Sequence, residues 1–176
     1  MRVIAGEFRS RRLKSIPGLA TRPTPDRLRE TLFDILGSQV EGAVFLDAYA
    51  GTGAVGIEAL SRGAARAVFI ERSKAAANIV RENLATLGIE DRAAVALGAA
   101  TSLIGRYKAD ILFLDPPYDR EDEYTQVLQR LGEQPPALVI AQHSARLTLP
   151  ESAGRLVRTR VVRQGDNALS IYAPRV

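Results

Sequence analysis

The sequence predicts an α/β fold, a mostly parallel sheet closed by a carboxyl-terminal antiparallel hairpin and preceded by a short basic extension. Three observations predict it. From residue 43 onward, apolar runs of strand length alternate with helical patterns, as in a sheet covered by helices. A glycine-rich turn joins the first such strand to its helix. Near the carboxyl terminus the alternation gives way to two strand-like runs, Leu156 to Arg163 and Ala168 to Ala173, flanking the turn-forming Gln164-Gly165-Asp166-Asn167.

The first strand is Ala43 to Ala48, and its helix runs from about Ala54 to Arg62. Arg66 to Glu71 forms the second strand; Ser73 then suits a helix N-cap, and Gly88 ends that helix after Leu87. A weaker strand, Ala93 to Leu97, precedes a short helical stretch. The strongly apolar Asp110 to Leu114 ends on Asp115, followed by a helix around Asp122 to Leu131 and a strand from Ala137 to Gln142. Ahead of this core, Thr24-Pro25 reads as a helix start, with threonine capping free amides and proline in the first helical position. Leu28, Leu32, Ile35 and Leu36 make an apolar stripe that docks this helix before Gly37 stops it, with Arg27, Arg29 and Glu30 on the opposite face. Arg2 to Lys14 is expected as a small basic hairpin. The whole is one domain, with residues 1–36 as basic segment plus docking helix and residues 43–176 as the core. There is no internal repeat or low-complexity segment.

Composition narrows the chemistry. With 46% hydrophobic and 25% charged residues, 176 residues can bury one sizeable core. The absence of cysteine excludes disulfides, thiolate zinc sites and cysteine nucleophiles, and no metal is expected. No apolar stretch approaches the ~18 residues of a membrane span and no secretory h-region follows the basic start, so a cytoplasmic monomer is expected. The net charge of +4 is unevenly spread: residues 1–29 hold eight basic side chains against Glu7 and Asp26, and the remainder is net acidic. Arginines supply bidentate, phosphate-shaped donors, which makes Arg2, Arg9, Arg11, Arg12 and Arg27 candidates for a nucleic-acid backbone. A merely solvated basic terminus is the alternative.

The stretch Asp47-Ala48-Tyr49-Ala50-Gly51-Thr52-Gly53-Ala54-Val55-Gly56 has G-x-G-x-x-G spacing between a strand and a helix. That spacing alone serves nicotinamide, flavin and S-adenosylmethionine sites alike. Two acids shift the balance. Asp47 stands just ahead of the glycines, where it repels a pyrophosphate and attracts the ammonium of a methionine moiety. Glu71 ends the second strand, near the ~20-residue offset at which an acid accepts hydrogen bonds from ribose hydroxyls. The pair favours S-adenosylmethionine, with Gly51 and Gly53 letting the backbone approach the cofactor and Tyr49 either packing or touching it.

Asp115-Pro116-Pro117-Tyr118 follows the apolar strand directly, where ligands sit in an open parallel sheet. A carboxylate and the Pro116 carbonyl can accept the two hydrogens of an exocyclic amine and direct its lone pair at a methyl group. The prolines stiffen this loop, and Tyr118 offers a flat face for an unstacked base. Aspartate at position 115 hints at guanine, whose N1–H and N2–H donors suit an acceptor-only carboxylate, whereas adenine pairs a donor with an acceptor.

The sequence resembles the RsmD family, bacterial enzymes that methylate the N2 amino group of a guanine in 16S rRNA. The likeness is carried by Arg2-Val3-Ile4-Ala5-Gly6, by Thr21-Arg22-Pro23-Thr24 leading into Asp26-Arg27 and Arg29-Glu30-Thr31-Leu32-Phe33, and by Asp47 to Gly56. Glu58 to Ala64, Glu71 and Asp115 to Tyr118 complete it. The Thr-Arg-Pro-Thr block is the most family-specific. The resemblance implies an S-adenosylmethionine-dependent, Rossmann-like class I methyltransferase fold, with Arg22, Pro23 and Thr24 close to cofactor and substrate. It also implies that the basic start engages 16S rRNA in a small-subunit particle. One departure stands out: many relatives of the fold carry an acid for the adenine amino group after the third strand, where this chain reads Gly98-Ala99-Ala100-Thr101, so backbone groups around Ala100 are expected to serve instead. Two rivals remain, a DNA adenine-N6 methyltransferase and a non-catalytic RNA-binding module. A hydrolase is poorly supported, because His143 is the sole histidine, read as solvent-facing or packed, and no Gly-x-Ser-x-Gly loop is present.

Overall fold

The computed structural model describes residues 1–17 and 24–176, and among them eight strands join one sheet in the order β3-β2-β1-β4-β5-β8-β7-β6. The strands are β1 Val44–Asp47, β2 Arg66–Glu71, β3 Ala93–Leu97, β4 Ile111–Leu114, β5 Leu138–Ser144, β6 Ser152–Ala153, β7 Leu156–Gln164 and β8 Asn167–Pro174. The helices are α1 Asp26–Leu36, α2 Ala54–Ser61, α3 Lys74–Leu87, α4 Ala100–Leu103 and α5 Asp122–Leu131. β1 to β5 pair in parallel, and β8, β7 and β6 add antiparallel. This is the expected mostly parallel sheet with its closing hairpin; β6, only two residues long, carries no pattern that could have announced it.

Burial explains why the central strands read as continuous apolar runs. β4 is buried at every residue because helices cover both sheet faces. On one face Phe45, Phe69, Phe113 and Ile140 meet α1, α2 and α3; on the other Leu46, Leu112, Leu114 and Val139 meet α5. The local punctuation is also as the residues require. Ser73 Oγ accepts the Ala76 amide at 3.2 Å at the start of α3, and Gly88 ends that helix at φ +70°.

Helix α1 departs from expectation twice. It starts at Asp26 rather than Pro25, and no side chain caps it. Pro25 is extended (φ −54°, ψ 142°) and begins the ladder through its carbonyl, which accepts the Arg29 amide at 3.0 Å. With the helix beginning one residue later, the N-cap position falls on Pro25, whose side chain has no acceptor, and Thr24 lies one residue too early to cap. Arg29, expected on the exposed face, is fully buried. Its place follows from helical phase, since Arg29, Leu32, Phe33 and Leu36 are spaced three or four apart and share one face. Arg29 donates to the Arg2 carbonyl at 2.7 Å and to Asp26 at 3.0 Å, and it lies 3.9 Å from the buried carboxylate of Glu58. Ile35 is only partly buried, and Phe33 takes its place in the stripe.

The amino-terminal segment does fold back on itself. Arg2 and Arg12 form an antiparallel bridge, and Val3, Phe8 and Leu13 are buried beneath. Its backbone is held by core side chains. Glu58 accepts the Ile4 and Ala5 amides at 2.8 and 3.0 Å, Ser61 Oγ accepts that of Phe8 at 2.9 Å, and Asn83 accepts that of Lys14 at 2.7 Å.

Candidate functional site

The strand order reverses between β1 and β4, so a crevice opens at their carboxyl ends, the usual ligand position in such sheets. Two adjoining cavities of about 250 and 280 Å³ lie there and share Tyr49, Gly51 and Asp115 in their walls. The cavity of about 250 Å³ is lined also by Glu71, Ala100, Pro116, Pro117 and Tyr118; the cavity of about 280 Å³ by Asp47, Thr24, Thr52 and Met1.

The glycine turn is built by its own sequence. Gly53 stands at the N-cap of α2 with φ +91°, a left-handed conformation that disfavours other residues. Gly56 is required for a different reason: a Cβ there would lie 2.4 Å from the Phe69 ring, so helix and strand can approach this closely only without one. The two predicted acids clamp the turn from either side. Glu71 accepts the amides of Gly51 and Ser73 at 2.8 and 3.1 Å, one on each oxygen. Asp47 accepts the Gly56 amide at 3.1 Å.

These carboxylates differ in environment. Asp47 is buried, and loss of solvation lifts it to about 7 against the pull of the Gly56 amide. Glu71 is half-buried and raised by the same cause, opposed by the Ser73 and Gly51 amides. Asp47 ends β1 just ahead of the glycines, as expected, and it lines the 280 Å³ cavity although it is buried.

Tyr49 does more than pack. Its hydroxyl donates to Glu123 at 3.0 Å, and Glu123 also pairs with Arg120 at 3.3 Å. Burial and the adjacent Glu123 carboxylate both raise the Tyr49 hydroxyl above its ordinary range, keeping it a neutral donor. Ala100 is buried in the wall of the 250 Å³ cavity, at the first turn of α4, beside Gly98 and Ala99.

In the Asp115 loop, the Pro117 carbonyl accepts the Arg120 amide at 2.9 Å, which ties the loop to a short 3-10 turn over Tyr118–Arg120. Pro116 is buried, Pro117 is exposed, and Tyr118 is 61% exposed. Thr24 lies buried in the wall of the 280 Å³ cavity, while Arg22 lies outside the described residues. Arg2, Arg9, Arg11, Arg12 and Arg27 are all exposed at some remove from this loop, none lining either cavity.

Sequence reasoning missed three wall residues. Glu123 reads only as a first-turn acid favoured by the helix dipole. Gln142 reads as the end of an apolar strand. His143 proves packed: Nδ1–H donates to the Ser144 carbonyl at 2.8 Å, which leaves Nε2 to accept from Ser170 Oγ at 2.7 Å. Burial lowers its pKa and favours the neutral imidazole. Among the described residues, no group of three His, Cys, Asp or Glu side chains could hold a metal, and no helix is long and apolar enough to cross a membrane.

Comparison with known proteins decides the family. A family model described as conserved hypothetical protein 95 matches residues 1–173. Ribosomal RNA small subunit methyltransferase D of Escherichia coli is 41% identical over 121 residues, 68% of this chain and 61% of that protein. The chain belongs to the RsmD family. Bacillus subtilis YlbH, which carries a provisional rRNA methyltransferase name, is 37% identical over 191 residues, 99% of this chain and 100% of its own. The solved structure of Escherichia coli YhhF, named provisionally as a methyltransferase, superposes with a TM-score of 0.87 at 32% identity over 100% of this chain and 98% of that one. The fold is therefore that of the class I methyltransferases, and the crevice of this RsmD-family member is where such a fold places its chemistry.

Proposed function

We propose that this chain methylates the exocyclic N2 amino group of a guanine in 16S rRNA, within a small ribosomal subunit or its assembly intermediate, using S-adenosylmethionine. The observation that carries it is the position of Asp115, at the carboxyl end of β4 and in the wall of both cavities at once. A group there can act on two ligands that meet, one from each side.

The residues present fit the cofactor. Each Glu71 oxygen accepts one backbone amide and retains a lone pair for a ribose hydroxyl. Asp47, when ionised, draws an ammonium group, and a cation beside it favours ionisation over the state that burial prefers. Tyr49, Gly51 and the backbone near Ala100 shape the remaining wall, with Gly53 turning the chain behind it at the start of α2; by family likeness, Arg22 and Thr24 close it. When bound, S-adenosylmethionine supplies an electrophilic sulfonium methyl group and leaves as S-adenosylhomocysteine.

The protein supplies geometry and electrostatics. The guanine amino lone pair is delocalised into the ring, so the nitrogen is a poor nucleophile until its hydrogens are held. Asp115 accepts one and the Pro116 carbonyl the other, which favours a pyramidal nitrogen with its lone pair facing the methyl group. The carbon–nitrogen bond forms as the carbon–sulfur bond breaks, and the surplus amine proton leaves to Asp115 or to water. Tyr118 stacks on the extruded base. Arg2, Arg9, Arg11, Arg12 and Arg27 hold phosphates.

The test is incubation with radiolabelled S-adenosylmethionine and small-subunit RNA, free or assembled, followed by identification of the labelled nucleoside. N2-methylguanosine is expected. N6-methyladenosine would move the chain to the adenine enzymes, and no transfer to RNA in either form would leave a binding module.

A further inference from the structure

We infer that Gln142 reads the target base, its side-chain amide accepting a hydrogen bond from the guanine N1–H beside the amino group that Asp115 holds. This deepens the guanine-N2 reading and rests on it. Gln142 lies in the wall of the 250 Å³ cavity that Glu71 and Tyr118 also line, is only 7% exposed, and its Oε1 has no hydrogen-bond partner among the described residues. An amide oxygen sealed away from water without a donor is costly, and native proteins rarely leave one so. The three residues before it, Val139, Ile140 and Ala141, are apolar and buried, so the polar side chain appears where the strand enters the cavity.

Register places this acceptor beside Asp115. Leu114 pairs with Ala141 as the last registered pair, so Asp115 leaves the end of β4 level with Gln142 in β5, and both line the same cavity. The Gln142 main chain is anchored independently, because the Tyr124 hydroxyl donates to its carbonyl. The amide is thus carried on a fixed stem. Two neighbouring acceptors match the guanine edge, which presents N1–H next to N2–H, and oppose adenine, whose N1 is itself an acceptor. A site built to accept that N–H rejects a base lacking it, because its buried acceptor is left unpaired.

The test uses the full-length protein and rRNA whose modified guanine has been mapped, prepared with guanine or with 2-aminopurine at that position. 2-Aminopurine keeps the exocyclic amine but presents a lone pair at N1. The wild type should prefer guanine by about tenfold to hundredfold in kcat/KM. Gln142→Leu and the unbranched Gln142→Met should lose that preference to within about threefold, chiefly by slowing on guanine, while S-adenosylmethionine affinity stays unchanged. Equal wild-type rates on the two bases, or a full guanine preference in a folded variant, overturns the role of Gln142 and leaves the guanine reading standing. If mapping finds no N2-methylguanosine, both fall together.

Discussion

The carboxyl end of the sheet and the amino-terminal hairpin are both held by side chains that accept backbone amides, and they differ in what those side chains border. At the sheet end, Asp47 and Glu71 hold the glycine turn through its amides and also line the cavities. In the hairpin, core side chains hold the backbone. Glu58, Ser61 and Asn83 satisfy the amides of Ile4, Ala5, Phe8 and Lys14, while Arg2, Arg9 and Arg12 stay exposed. The difference separates two tasks. Chemistry needs groups fixed in a dry site, whereas capture of phosphates needs a fixed backbone with extended, solvated cations.

The largest effect expected from this division is at the sheet end. Asp115→Ala should slow methyl transfer by roughly 10² to 10⁴, the range of a positioned acid or base, and leave RNA affinity within about twofold by filter binding. Next in size is a change in the clamp that joins the two regions. Glu58→Ala removes the partner of two hairpin amides and of Arg62, and it takes from buried Arg29, whose Nε and Nη1 lack hydrogen bonds, its one buried carboxylate, leaving it only the exposed Asp26. Breaking a buried ion pair from one side costs about 3 to 5 kcal/mol, to be read by urea unfolding. A wild-type midpoint would show that the hairpin is held by something else.

Asp47 sharpens the contrast through pH. Its carboxyl is raised to about 7, so the stability it contributes is fully present below the ordinary carboxylate range and is lost as pH rises through 7. Asp47→Asn should therefore raise the melting temperature at pH 8 by on the order of 5 °C and change little at pH 4. The same change should weaken S-adenosylmethionine by about tenfold to hundredfold in a calorimetric titration, since the ammonium loses its partner. The smallest effect lies in the hairpin. Neutralising Arg9, Arg11 and Arg12 should lower the slope of log RNA affinity against log salt by roughly 0.7 per lost contact, with S-adenosylmethionine affinity unchanged. An unchanged slope would mark the hairpin as a solvated terminus.

What could be read from sequence was whatever is decided locally. Ser73 and Gly88 punctuate α3 because an oxygen three residues from an amide, and a residue free of Cβ at positive φ, are properties of single positions. β2 and β3 were legible to the residue for the same reason, as apolar runs with clear ends. Asp47, Glu71 and Asp115 could be placed because each stands at a strand end, and topology brings strand ends together. The misses depended on partners far away in the chain. Arg29 looks like a surface cation until Glu58 and the Arg2 carbonyl come within reach. Glu123 looks like a helix-start acid until Tyr49, 74 positions earlier, donates to it. Gln142 is told apart from a strand terminus only by the cavity it borders. Burial of Asp47 was likewise hidden, since sequence gives its place at the end of β1 but not the turn that folds over it.

The division between chemistry and capture is tested most directly by single-turnover methylation at saturating S-adenosylmethionine, with RNA titrated from low to saturating concentration. The Asp115→Ala protein and the triple arginine variant should be run side by side. Chemistry at Asp115 predicts that the arginine variant regains the wild-type rate once RNA is saturating, whereas Asp115→Ala stays roughly 10² to 10⁴ slower at every concentration. A near wild-type plateau for Asp115→Ala would contradict it and move the catalytic centre away from this loop.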